Sequence, residues 1–225
     1  MLTIIGRQPV ALIQRPHQIA SRETPAGTVS LLDHCTPETI RGFDFDTFFG
    51  LNDHRESIFI RRETLESRAA NPESNVVLAV TGDRRIAGFG VFAPPDAEDR
   101  WSQMQAGAIM EVELVEVHEQ FRTRHIAGDM LRLMLGHPRI ERMIVFMVGY
   151  VWTWDLDGTG LNAQAYHNML MRLFSPFGFR ELKTNEANIC LRPENLFMAR
   201  IGSDVPDEWL KDFKYLRFGV TPQRR

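Results

Sequence analysis

Between Glu111 and Leu135 the chain reads EVELVEVHEQFRTRHIAGDMLRLML, and no other stretch restricts the fold as much. Val112, Leu114, Val115 and Val117 mark a buried strand, and Arg122 to Gly128 form a tight basic turn. A short helix follows with Met130, Leu131, Met134 and Leu135 on its apolar face, and Gly136 and Pro138 stop it. A strand that enters a helix through a small-residue turn aims unpaired backbone N–H groups at one point. The helix dipole and the side chains of Arg122 and Arg124 would make that point electropositive, which suits a phosphate. An ordinary strand–helix connection with solvated arginines would look the same locally, so the rest of the chain has to decide.

The order of elements narrows the choice. Thr28–His34 reads as a strand, and Thr36-Pro37-Glu38 starts a helix with proline in its first turn. A longer helix capped by Asn52 or Asp53 runs to Ala70. Strands at Asn75–Val80 and Arg85–Phe92 flank the hairpin signal Thr81-Gly82-Asp83-Arg84. Beyond the opening segment come a strand over Arg142–Trp152, a loop to Gly160 and a helix from Asn162 to about Phe174. Strands at Phe179–Thr184 and Leu196–Ile201 and a helix at Asp207–Phe213 complete the chain. Three strands are consecutive, so a Rossmann sheet, which alternates strand and helix, does not fit. Gly158-Thr159-Gly160 lacks a third glycine, and no P-loop sequence occurs. Residues 1–26, punctuated by Pro9, Pro16 and Pro25, read as an irregular arm ahead of a single domain over 27–225.

Composition excludes several partners. A net charge of −3 provides no global basic field for nucleic acid. The longest apolar run, Met143–Trp152, is too short to cross a bilayer. Two cysteines, Cys35 and Cys190, make no disulfide framework, so a cytoplasmic protein is expected. The histidines show no ligand spacing, and no metal is expected.

Arg122-Thr123-Arg124-His125-Ile126-Ala127, after the fourth strand, resembles the R-x-x-G-x-G/A turn of the GNAT superfamily of N-acetyltransferases, with His125 where the family has its first glycine. A narrower resemblance lies in Trp152-Thr-Trp154-Asp155-Leu156-Asp-Gly158, in Asn195-Leu-Phe-Met198-Ala199-Arg200-Ile201-Gly202 and in Leu216-Arg217-Phe218. These blocks, with Arg100-Trp101-Ser102, are similar to the AcuA subfamily of acetoin utilization proteins from about Thr28 to Phe218. The resemblance implies an α/β (α+β) fold, a central mixed sheet flanked by helices and splayed between its fourth and fifth strands. It implies acetyl-CoA as co-substrate and, as acceptor, a lysine of an AMP-forming acetyl-CoA synthetase, and it leaves room for a homodimer.

The same resemblance distributes roles. Backbone around Val115 and Val117 would pair with the pantetheine arm. Amides from Arg124 through His125, Ile126, Ala127 and Gly128 would hold the pyrophosphate, with charge from Arg122 and Arg124. A lysine amine with a pKa near 10.4 costs about 4.6 kcal/mol to neutralise at pH 7, so a carboxylate is needed to receive its proton. Glu111 stands eleven residues before Arg122, where some protein-lysine members carry their base. Glu113 shares its face in a regular strand, and Glu116 faces oppositely unless a bulge intervenes. The family's usual tyrosine acid is replaced by Phe174, leaving Tyr166 or Tyr150 to protonate the leaving thiolate, if any side chain does. Trp152, Trp154 and Asp155 would meet the acceptor, Asp155 by attracting its charge. Two other readings fit these residues: acetylation of a small amine, and a CoA-sensing module that has lost catalysis.

Overall fold

Prolines bracket the first described strand instead of breaking it. The computed structural model describes residues 17–45, 49, 61–122 and 125–222. Within them His17–Thr24 forms β1, an antiparallel hairpin partner of β2 (Gly27–Asp33). Residues 1–16 of the expected arm lie outside the described residues, and 17–24 is a strand where the sequence suggested irregular chain. Pro16 precedes the strand and Pro25 sits in the turn, so neither removes a ladder hydrogen bond. Arg22 of β1 reaches Asp129 at 2.5 Å and ties this edge strand across the sheet to a helix.

Two short helices, α1 (Pro37–Arg41) and α2 (Arg62–Ala69), follow. The expected cap at Asn52 or Asp53 lies outside the described residues. The hairpin of β3 (Asn75–Thr81) and β4 (Ile86–Ala93) is buried along its full length. Then come β5 (Ile109–Val117), α3 (Ile126–Met134) and β6 (Ile144–Gly149). After β6 lie α4 (Leu156–Thr159) and α5 (Ala163–Phe174), the latter capped by the Asn162 side chain on Ala165 N at 2.8 Å. Beyond α5, β7 (Arg180–Glu181), α6 (Ala187–Cys190), β8 (Leu196–Ile201) and α7 (Asp207–Arg217) complete the fold.

The eight strands form one mixed sheet in the order β1-β2-β3-β4-β5-β6-β8-β7. All neighbours are antiparallel except β5 and β6. One face packs α3 and α5 over Val77, Val112, Val145 and Met198; the other packs α1 and α2 over Val76, Leu78, Phe89 and Val91. A third cluster stacks Trp101 on Phe197 at 5.4 Å, with Phe146 and Phe213 beside it. The Arg100-Trp101-Ser102 block is therefore a core element.

Two strands are shorter than the sequence suggested. β6 stops at Gly149, its last pair with β8 being Leu196, because Asn195 Oδ1 accepts Val151 N–H at 2.7 Å and turns the chain away. β7 keeps two of the residues expected in Phe179–Thr184. At the end of β8, a Cβ on Gly202 would lie within 2.7 Å of Glu141 backbone atoms, so this position of the Met-Ala-Arg-Ile-Gly block admits only glycine without a shift.

Candidate active site

The parallel pairing of β5 with β6 runs Ile109↔Ile144, Met110↔Val145, Glu111↔Phe146 and ends there. Beyond Glu111 the strands part, and the backbone edge of β5 from Val112 to Val117 faces an opening instead of a neighbour. These are the strands expected to splay, the fourth and fifth counted from Thr28. A cleft of about 310 Å³ fills the gap, lined on one side by β5 and on the other by Met147, Tyr150, Trp154, Tyr166 and Phe174.

β5 is bulged. Phe92 pairs with Val112 but Val91 pairs with Leu114, so Glu113 is an extra residue. Side-chain alternation changes phase there. Val112 and Val117 both belong to the core on the α3 side, although five residues apart, while Glu116 pairs with Phe89 of the opposite cluster. The bulge therefore brings Glu111, Glu113 and Glu116 to one face, the condition under which sequence reasoning admitted Glu116.

The three glutamates differ in their partners. Glu113 accepts from Arg68 Nη2 at 2.8 Å and Nε at 3.1 Å, and Arg68 also grips Asp96 at 2.7 and 2.9 Å. Glu116 faces Arg122 Nη2 at 3.3 Å. Glu111 has no cation in contact among the described residues. Burial, and then the charges of Glu113, Asp99 and Asp96, push its carboxyl up to about 8, against a weaker pull from Arg68. Burial also raises Glu113, opposed by its Arg68 hydrogen bonds.

Arg122 is not turned toward the start of α3. Its Nη2 pairs with Asp155 at 2.6 Å and its Nε donates to Val117 O at 3.0 Å. Asp155 is 8% exposed, and its other oxygen accepts from Gly158 N–H at 3.0 Å to cap α4. Its charge is thus engaged by Arg122, not open to an incoming cation as the sequence suggested. Of the tryptophans, Trp154 lines the cleft and stacks on Tyr166 at 5.0 Å. Trp152 stands 57% exposed and stacks on Tyr150 at 4.7 Å.

Arg124 lies outside the described residues. His125 adopts φ 62 and ψ 10, the left-handed conformation in which a glycine is at home, and makes no side-chain capping bond. Ile126 is buried, Ala127 packs on the same core, and a Cβ at Gly128 would meet open space. The departure from the family's glycine is thus one of side chain and not of backbone, because histidine is among the residues that tolerate this region. His125→Gly is expected to leave unfolding free energy within about 1 kcal/mol of wild type, relief of strain offsetting added chain entropy. His125→Val, β-branched, is expected to cost more than that. Thermal unfolding of the two variants distinguishes them, and equal losses would contradict the conformational argument.

Val115 lines the cleft, whereas Val117 pairs with Gly88 at the end of β5. Tyr150 and Tyr166 both line it. Burial and the charges of Glu186, Glu111 and Asp99 push the Tyr150 hydroxyl up to about 12, so it keeps its proton. Phe174 is buried against Phe179. Sequence reasoning missed Arg68, Asp96 and Asp99, which the fold brings to the cleft from α2 and from the segment after β4. No spacing relates them to β5; the nearest local sign was Asp99 before Trp101, whose N–H it accepts at 3.3 Å. Among the described residues no group of three or more His, Cys, Asp or Glu could hold a metal, and no helix is long and apolar enough to cross a membrane.

No family model matches the chain. A structure from Acinetobacter baylyi, described as an acetyltransferase, shares its fold, with a TM-score of 0.50 at 12% identity over 79% of this chain and 94% of that one. The crystal structure of an acetoin utilization protein from Exiguobacterium sibiricum is much more similar: TM-score 0.81 and 26% identity, covering 92% of this chain and 96% of that one. With a mixed sheet splayed beside a strand–turn–helix, these likenesses place the chain in the fold class of acetyltransferases, the class it shares with that acetoin utilization protein. Within that class its sequence is similar to the acetoin utilization protein AcuA of Bacillus licheniformis. The two are 28% identical over 201 residues, which span 87% of this chain and 91% of that protein.

Proposed function

We propose that the protein transfers the acetyl group of acetyl-CoA to the side-chain amine of a protein lysine, by direct attack in a ternary complex. The observation that carries this reading is the splay at Glu111, which opens a strand edge and leaves one unpaired carboxylate beside it. The free edge around Val115 offers backbone partners to the pantetheine amides. The first-turn amides of Ile126, Ala127 and Gly128, uncapped by His125, are the pyrophosphate cradle, and the open space over Gly128 leaves room for it.

Glu111 is the base in this scheme. Passing a proton from a lysine ammonium to an ordinary glutamate is uphill by about 8 kcal/mol; to a carboxylate near 8 it is uphill by about 3 kcal/mol. The freed amine attacks the thioester carbonyl, the C–S bond breaks, and the second proton of the amine nitrogen passes to the CoA thiolate, relayed by the Tyr150 hydroxyl or by water. Both candidate rings are stacked on a tryptophan, Tyr150 on Trp152 and Tyr166 on Trp154, so stacking does not choose between them. Trp154 forms part of the acyl side of the cleft. Asp155 and Arg122 hold the wall in place.

The acceptor protein is an AMP-forming acetyl-CoA synthetase or one like it, as the likeness to AcuA suggests. The test is release of CoA from acetyl-CoA in the presence of such a synthetase, lysine peptides from it, or small primary amines. Turnover with the synthetase and mass addition on one lysine are expected. Turnover confined to small amines would overturn the protein acceptor, and CoA binding without any turnover would favour a sensing module.

A further inference from the structure

Among the described residues, six carboxylates stand in or beside the cleft, and two arginines sort them. Arg122 takes Glu116 and Asp155; Arg68 takes Glu113 and Asp96. Asp99 is occupied as the cap of the turn that carries Trp101. Glu111 is left over. We infer that Arg68 is a positioning residue that selects the base, holding Glu113 and Asp96 together in a hydrogen-bonded triad so that Glu111 is the carboxylate left to exchange a proton with the acceptor amine. The inference rests on the assignment of Glu111 proposed above.

The geometry supports a sorting role more than a bracing one. Arg68 uses Nε, Nη1 and Nη2 on two carboxylates from different segments, β5 and the loop after β4. Its planar fork meets Asp96 through two parallel bonds, a geometry lysine does not reproduce. Glu113 faces α2 by ordinary alternation from Val112, and the bulge after it keeps Glu116 on the same face. The groups that bear on Glu111 are Glu113 on its own strand, Asp96 and Asp99 in the segment after β4, Arg68 on α2 and Tyr150 at the end of β6. Arg68 is the one cation among them. Without it, Glu113 and Asp96 lose their counter-charge and either could compete for the proton, while repulsion on an ionised Glu111 increases.

The test follows Glu111 directly, without an acceptor. Protein labelled with ¹³C at the glutamate carboxyl is titrated by NMR, and the Glu111 resonance is assigned by its absence from Glu111→Gln. Arg68→Gln is expected to move the Glu111 midpoint upward by about one pH unit, as loss of an opposite charge requires. Arg68→Lys is expected to shift it less. Arg68→Gln/Glu113→Gln, which removes one charge of each sign, is expected to bring it back toward wild type. An unmoved midpoint in Arg68→Gln, with the spectrum otherwise native, overturns the sorting role. A purely structural arginine would lower stability in all three variants without this pattern. The base assignment fails separately: if the midpoints move as expected but Glu111→Gln turns over a lysine peptide at the wild-type rate, Arg68 tunes a carboxylate that is not the base.

Discussion

Glu111→Gln is expected to lower kcat/KM for the acceptor by about 10²- to 10³-fold, within the range that positioned general bases contribute. Glutamine preserves shape and burial, so the loss isolates the proton acceptor. In the wild type, kcat/KM should rise with pH and level off above about 8, where the Glu111 carboxylate becomes ionised. The variant should lose that limb. Stability supplies an independent reading with a fixed sign. The folded carboxyl near 8 lies above its ordinary value of 4.5, so the folded state retains a proton that the unfolded chain gives up between those limits. Its favourable contribution is whole below about pH 4.5 and is gone once pH has risen through about 8. The difference in Tm between Glu111→Gln and wild type should therefore move in favour of the variant from pH 5 to pH 9. A pH-independent difference would mean that Glu111 titrates normally.

The second large effect is expected at Arg122. Its side chain is 22% exposed and that of Asp155 10%, so removing the guanidinium strands two carboxylates away from water. Arg122→Gln is expected to cost about 3 kcal/mol, the lower end for a broken buried pair because one nitrogen, Nη1, is already buried without a partner. For a chain of this size that is a fall in Tm of about 6–12 °C. Arg122→Gln/Asp155→Asn should recover part of the loss, since the worst uncompensated charge goes with it. A single variant within 1 kcal/mol of wild type would show the pair to be dispensable. The loss should come with a weaker grip on acetyl-CoA, because the pair fixes the segment carrying Trp154 against the end of β5.

Much of this arrangement was legible in the sequence, and the exceptions have physical causes. β5, its turn and α3 announced themselves through hydrophobic periodicity and stop signals, which are local. The blocks around Trp154 and Met198 carried the likeness that pointed to the splay. What escaped was long-range. Asp155 next to a tryptophan suggests an open acceptor site, and its pairing with Arg122, 33 positions earlier, has no local mark. Arg122 itself stands in the basic turn yet points back along β5 to Val117 O, because a carbonyl at the strand end is closer to hand than the helix start. β1 was missed because prolines at both ends look the same whether they interrupt a strand or bound one. The triad on Arg68 joins α2 to β5 across 45 residues, a distance no motif records.

The extra residue at Glu113 makes this stretch unequally tolerant of different kinds of sequence change. Substitutions there alter one side chain. Deletion of Glu113 would remove the bulge and restore strict alternation while leaving Val115 and Val117 under α3 and Glu116 on the acid face, at the loss of one carboxylate that Arg68 holds; an added residue that pairs regularly would instead turn over whatever follows it. Relatives one residue shorter here should therefore keep the faces of this strand and lack the Arg68 partner, whereas a regularly paired extra residue should not be found with the same cleft.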